Sequence, residues 1–71
     1  MNKVILSDNR EIEVRELKVK DILAADAYSK NPLMQELYLI HSATNVSMAD
    51  IEEFAIHDYR ALKDKVFEEK K

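Results

Sequence analysis

Val4-Ile5-Leu6-Ser7-Asp8-Asn9-Arg10-Glu11-Ile12-Glu13-Val14 is followed, after two residues, by Leu17-Lys18-Val19-Lys20-Asp21-Ile22-Leu23-Ala24-Ala25-Asp26-Ala27, and this stretch decides the fold. In its first half Ile12 and Val14 point one way while Glu11, Glu13 and Arg15 point the other, the period of a half-buried strand. Val4 and Leu6 match them on the covered face, which leaves Ile5 on the outer one. Asp8-Asn9 supplies the turn. In a chain with no glycine, asparagine is the side chain best able to accept φ > 0. A two-stranded hairpin cannot persist alone in water, so its apolar face needs a cover. The remaining sequence offers only helices, and the expected class is α+β: an N-terminal β-hairpin packed on a cluster of three to four short α-helices.

Helical spacing begins near Val19 and continues over 19–29. Val19, Ile22, Leu23 and Ala27 share an apolar stripe, with Asp26 and Lys20 at its edge. Asp21 falls in the first turn, where a carboxylate offsets the positive helix end. Lys18 stands at the capping position and cannot accept the amide hydrogen bond that a cap needs. Asn31-Pro32 ends this helix and opens the next, because proline disfavours helical geometry before it and suits a first helical position.

The second helix, over 32–44, is the most apolar. Leu33, Leu37, Ile40 and Thr44 form one stripe, and Met34, Tyr38 and His41 form the adjacent one. Their combined width predicts a central helix contacted from more than one side. Asn45 reads as a left-handed stop. Ser47-Met48-Ala49-Asp50 then matches a capping box, with Val46 stapled to Ile51. This third helix is expected to end near Phe54 or Ala55. Ile56-His57-Asp58 opens a last helix with Tyr59, Leu62 and Val66 on one face, Phe67 beside Val66, and fraying expected over 68–71.

Size and composition narrow the function classes. Seventy-one residues make one expected domain, 1–71, divided into a hairpin (1–17) and a helical part (18–71). A chain of this size buries roughly 60% of its unfolded surface. Without cysteine, stability rests on apolar packing, with self-association or a partner as the other sources. The composition, 46% hydrophobic and 35% charged, is too apolar for a disordered chain. A net charge of −3 argues against nucleic acid, since phosphate binding needs a positive footprint. Lys63, Lys65, Lys70 and Lys71 alternate with Asp64, Glu68 and Glu69 and read as a solvated face. No apolar run approaches the roughly 18 residues of a membrane span, and the N-terminus lacks a signal-peptide layout.

The residues point away from catalysis and cofactors. His41 and His57 are the two imidazoles. The first lies on an apolar stripe, where a hydrogen-bonded boundary histidine is the expected state, and the second at a helix start. Neither has a ligand partner at i+4, whereas a metal site needs three or four converging ligands. A glycine-free chain also cannot bring its backbone close to a phosphate in a phosphate loop. Ser47, in Asn45-Val46-Ser47-Met48, does not sit in the Asp-Ser-Leu-like helix start of an acyl carrier. Two short helices from Ser47 onward could mimic a helix-turn-helix, but Tyr59-Arg60-Ala61-Leu62-Lys63-Asp64 presents mixed charge.

The ordered set of motifs resembles the tail assembly chaperones of long-tailed bacteriophages, which include the small E proteins of contractile-tailed phages. The matching positions are Leu6-Ser7-Asp8-Asn9-Arg10 at the turn, Leu17-Lys18-Val19-Lys20-Asp21-Ile22-Leu23 at the first helix start and Leu37-Tyr38-Leu39-Ile40 in the middle. Val46-Ser47-Met48-Ala49-Asp50-Ile51 matches the capped start and Ile56-His57-Asp58-Tyr59 the last segment. The pattern departs at Asn9, where the family has glycine, and at Lys18, where it has threonine. The resemblance implies a non-enzymatic chaperone without cofactor or metal. It would act in the cytoplasm of the bacterial host, phage-infected or lysogenic, and would be absent from the mature virion.

The implied partner is the tape-measure protein, kept soluble while tail-tube subunits polymerise around it. An amphipathic helix is read through i, i+3 and i+4 anchors, for which Met34, Tyr38, Phe54, Tyr59 and Phe67 are the candidates. The resemblance also implies a longer form made by frameshifting, with Glu69-Lys70-Lys71 as the codons to inspect and the tail-tube protein as a further partner. Two other functions fit the residues without it. One is a small bacterial regulatory or adaptor domain that binds a partner's amphipathic helix, and the other is a nucleic-acid-binding regulator.

Overall fold

The computed structural model describes residues 2–67. Two strands, β1 (Asn2–Ile5) and β2 (Glu11–Val14), precede four helices: α1 (Val19–Tyr28), α2 (Pro32–Thr44), α3 (Met48–Glu52) and α4 (Ile56–Val66). The chain is thus α+β in the expected order, and the expectation for 68–71 lies outside the described residues.

The strands pair antiparallel with Val4 opposite Ile12 and Ile5 opposite Glu11. Val4, Leu6, Ile12 and Val14 are buried, while Lys3, Ile5, Glu11 and Glu13 are exposed. On that outer face Lys3 pairs with Glu11 at 3.3 Å. The turn is a three-residue loop, closed by Asn9 N–H on the Leu6 carbonyl and Leu6 N–H on the Arg10 carbonyl, both at 2.9 Å. Asn9 takes φ 70°, the left-handed conformation that such a loop requires of its last residue. Asp8 accepts from the Arg10 amide at 3.1 Å and from its guanidinium at 2.8 Å, which stiffens the loop.

The covered hairpin face packs on Ile40 and Ala43 of α2, Ile51 of α3 and Leu62 of α4. Leu17, Leu37, Val46, Phe54, Tyr59 and Val66 close the edges of this core. As the width of its apolar surface predicts, α2 is the central element and touches β2, α1, α3 and α4. Its start is capped by Asn31, whose side chain accepts from Leu33 N–H at 2.9 Å and Met34 N–H at 3.4 Å, with Pro32 in the first turn. At its end Asn45 turns left-handed at φ 62°, and its N–H reaches the His41 carbonyl at 2.8 Å. His41 Nδ1 donates to the Val46 carbonyl at 2.6 Å, so this imidazole is a hydrogen-bonded boundary residue.

Ser47 Oγ accepts from Asp50 N–H at 3.2 Å, which supplies one half of the expected capping box. Val46 and Ile51 both join the core, as the staple requires. The helix is shorter than expected, ending at Glu52, and Phe54 lies in the following turn. There the Phe54 ring packs on the core and receives the Arg10 guanidinium 5.2 Å from its centroid.

One element differs in orientation from the usual rule. An apolar stripe on a short helix ordinarily faces the core. On α1 the buried positions are instead Asp21 and Ala25, and Val19, Ile22 and Leu23 are 72%, 56% and 66% exposed. No α1 side chain belongs to the core cluster. The physical reason is the carboxylate of Asp21, which is drawn inward by Arg15 and turns the opposite, aliphatic side of the helix to solvent.

Truncation separates the two kinds of apolar position. Leu62→Ala, at a fully buried site, should cost about 2–5 kcal/mol in urea unfolding. Leu23→Ala should stay within about 0.5 kcal/mol of the parent. Equal losses would show that Leu23 is a core residue.

Candidate partner-binding surface

Helix α1 is attached to the fold through polar and aromatic contacts. At its start the missing cap at Lys18 is replaced from inside the helix: Asp21 Oδ2 accepts from Lys18 N–H at 2.8 Å. The same carboxylate receives Arg15 in a two-point pair, Nη1 to Oδ2 at 3.1 Å and Nη2 to Oδ1 at 2.9 Å. Arg15 Nη1 also donates to the Glu16 carbonyl at 2.9 Å, and Arg15 N–H donates to the Ala43 carbonyl of α2 at 2.9 Å. One residue thereby links the end of β2, the end of α2 and the start of α1. The sequence pattern placed Arg15 on the outer face of the hairpin; only the chain's path beyond Val14 brings it to Asp21.

At the other end of α1, Tyr28 stacks on Tyr38 of α2 with ring centroids 4.9 Å apart. Gln35 Nε2 of α2 donates to the Ser29 carbonyl at 2.8 Å and to Asp26 Oδ1 at 3.3 Å. Asp26 also pairs with Lys30 at 2.7 Å. These contacts all involve the α2-facing side and the C-terminal end of α1. At the 100° per residue of an α-helix, Val19, Ile22 and Leu23 lie within a third of a turn of one another on the far side.

The sequence candidates have separate surroundings. Met34 and Tyr38 are half-buried on one flank of α2, where Tyr38 is sandwiched by the Tyr28 stack and an edge contact with His41. Tyr59 lies on the nearly opposite flank, since its hydroxyl donates to Glu36, a position about 160° round the helix from Tyr38. Lys63 approaches the same Glu36 at 3.5 Å. Burial, reinforced by that acidic partner, pushes the Tyr59 phenol far above its ordinary range, so it stays a protonated donor. Tyr59 and Phe54 both direct their rings to the core, and Phe67 is exposed just beyond α4. The five residues thus fall on at least two flanks of α2. Choosing them by residue type leaves out the exposed aliphatic surface of α1, although the stripe itself is readable as i, i+3, i+4.

Asp58 joins the ends of the core. It accepts from Ser7 N–H at 3.0 Å and Ser7 Oγ at 2.7 Å, bonding the hairpin loop to the first turn of α4. These bonds hold its carboxyl below the ordinary value, with the His57 and Arg10 charges adding to the effect. His57 itself is exposed, with Nε2 3.5 Å from Asp58 Oδ1. Among the described residues no group of three or more His, Cys, Asp or Glu side chains is placed to hold a metal ion. None of the described helices is long and apolar enough to cross a membrane.

The geometry is thus an exposed apolar helix face beside a packed core. A family model described as phage tail assembly chaperone proteins, E, or 41 or 14, matches residues 7–69. Covering nearly all of the chain, the match shows that this protein belongs to the phage tail assembly chaperone family. A search of curated proteins and one of solved structures give no match.

The Arg15–Asp21 pair predicts the response to acid. Hydrogen bonds from Arg15 first and the Lys18 amide second outweigh burial, and hold the Asp21 carboxyl at about 2 instead of 3.8. Asp26 and Asp58 are shifted in the same direction. A carboxyl that is more acidic in the folded state stabilises it above the unfolded value, and that stability is lost as pH falls through the folded value. Melting temperature, followed by circular dichroism, should therefore decline mainly between about pH 4 and about pH 2. Asp21→Asn should melt lower at neutral pH and decline less steeply in acid. An unchanged acid profile in that variant would refute the role of the pair.

Proposed function

We propose that this protein is a non-enzymatic chaperone that binds the tape-measure protein and keeps it soluble while the phage tail tube is built around it. Membership of the tail assembly chaperone family over residues 7–69 is the observation that carries the proposal. The chemistry is consistent with it. A tape-measure protein is long and helical, and its amphipathic segments need apolar cover before the tube encloses them. A small protein with exposed aliphatic and aromatic side chains on a stable base can provide that cover by helix-in-groove recognition. The site of action is the cytoplasm of the bacterial host, and the chaperone is displaced before the virion is complete.

Of the five candidates chosen by residue type, Met34, Tyr38, Phe54 and Tyr59 are half-buried and Phe67 is exposed, so each keeps surface for such a partner, and Phe54 and Tyr59 also pack against the core. A longer frameshifted product that shares this chain's N-terminal part and reaches the tail-tube protein belongs to the same proposal. Codons that interrupt an A-rich run at Glu69-Lys70-Lys71 would remove it.

Co-expression with the tape-measure protein of the same gene cluster tests the proposal. The tape-measure protein should move from the insoluble to the soluble fraction and co-purify with this chain. Unchanged solubility together with no co-purification would overturn the proposed partner.

A further inference from the structure

The outward face of α1 has no cover within the fold, and its composition specifies what could cover it. Three aliphatic side chains, Val19, Ile22 and Leu23, stand more than half exposed on one side of a ten-residue helix. Lys18 and Lys20 are exposed at its N-terminal end, and neither forms an ion pair among the described residues. The C-terminal end is electrically balanced, because Asp26 is paired with Lys30. The stripe is thus apolar over its first turn and a half, bounded at its C-terminal end by the Asp26–Lys30 pair and positive at its N-terminal end, although the whole chain carries a net charge of −3.

Area decides between the two kinds of cover. Fully burying a Val, Ile or Leu removes on the order of 60–120 Å² of apolar surface, so the stripe offers roughly 200–350 Å². A stable dimer of the standard size needs about 800 Å² from each partner. A second copy of this chain seated through α1 falls well short of that. A single partner helix laid along the stripe requires no more than a few such anchors per segment, and a long helical partner multiplies them over many bound copies.

We infer that the Val19–Ile22–Leu23 face of α1 docks an amphipathic helix of the client protein, one with apolar residues at i, i+3, i+4 and i+7 and acidic residues at the end that meets Lys18 and Lys20. This rests on the chaperone reading and adds the surface and the chemistry of the segment recognised. Binding through α1 leaves the core undisturbed, because none of the three anchors takes part in it. The acidic end supplies register: reversing its charge sets like charges against the two lysines.

Two fluorescently labelled probes test the inference with the full chain. One is a set of overlapping helical segments of the tape-measure protein. The other is a designed helix of about 20 residues carrying leucine at those spacings and glutamate at one end. Circular dichroism first confirms that each variant is folded, as the exposure of the substituted positions leads one to expect.

Leu23→Lys and Ile22→Lys should each weaken binding of both probes about tenfold or more, the loss of one buried aliphatic anchor. Ile56→Lys, at an equally exposed apolar residue on α4, should leave it within about twofold. Lys18→Glu with Lys20→Glu should weaken the glutamate helix and restore affinity for a version with lysine at that end. Tape-measure segments that bind equally well to Leu23→Lys would overturn the α1 surface while the chaperone reading stands. Designed-helix binding that depends on Leu23, without binding of any tape-measure segment, would overturn the proposed client while the surface stands. Failure of both probes, or a dimer in sedimentation that Leu23→Lys abolishes, would overturn the inference.

Discussion

Four side chains on one face of a short hairpin, Val4, Leu6, Ile12 and Val14, must be kept from water by the rest of the chain, and the other contacts follow from how this is done. Each strand contributes four residues, too few for the ladder alone to hold them. The helices that cover them meet at Ile40, Ile51 and Leu62, all at most 2% exposed. In a domain with no disulfide, this is where the packing energy resides, and the central position of α2 is its geometric result. Because α2 must touch the hairpin, α3 and α4 on one side, only the remaining flank is open to α1.

Apolar burial is not directional, and polar bonds fix the orientation of the parts. Ser7 to Asp58 ties the hairpin loop to α4 across 51 residues of sequence, and the Arg15 amide ties the end of β2 to the end of α2. The Arg15 guanidinium then sets how α1 is rotated about its own axis. Each bond involves a residue at the edge of the core, where desolvation is incomplete and a charge can be held without a large penalty. Their common feature is that they join ends of elements. That is where backbone amides and carbonyls are still available, and where small errors in angle would otherwise spread through the packing.

What could be read from the sequence was what neighbours along the chain determine. The strand alternation, Pro32 as a helix start, Asn9 and Asn45 as left-handed positions and Ser47 as a cap all depend on residues within a turn of each other, and all are present. The stripe on α1 was equally visible. Its direction was not, because periodicity shows that aliphatic residues share a face and says nothing of which way the face points. The inward pull comes from Arg15, six residues ahead of Asp21 in the connection between β2 and α1. The Ser7–Asp58 bond is hidden for the same reason. The candidates Met34, Tyr38, Phe54, Tyr59 and Phe67 were selected by chemical type, and type alone cannot place Tyr38 and Tyr59 on different flanks of α2.

The cluster beneath the hairpin includes residues from both strands and from α2, α3 and α4, with Leu17 at its edge, but none from α1, whose one buried apolar residue, Ala25, lies outside it. In topological terms α1 is an excursion: the chain leaves the core after Leu17 and returns to it with Leu37. The hairpin, α2, α3 and α4 already close upon one another through the amide of Arg15 and the loop bond of Ser7. The fold thus consists of a closed scaffold and one helix held to it by a guanidinium, a glutamine, a pair of stacked rings and the buried Ala25. Separation of this helix alone would uncover Ala25 and the Tyr28–Tyr38 stack and leave Ile40, Ile51 and Leu62 covered.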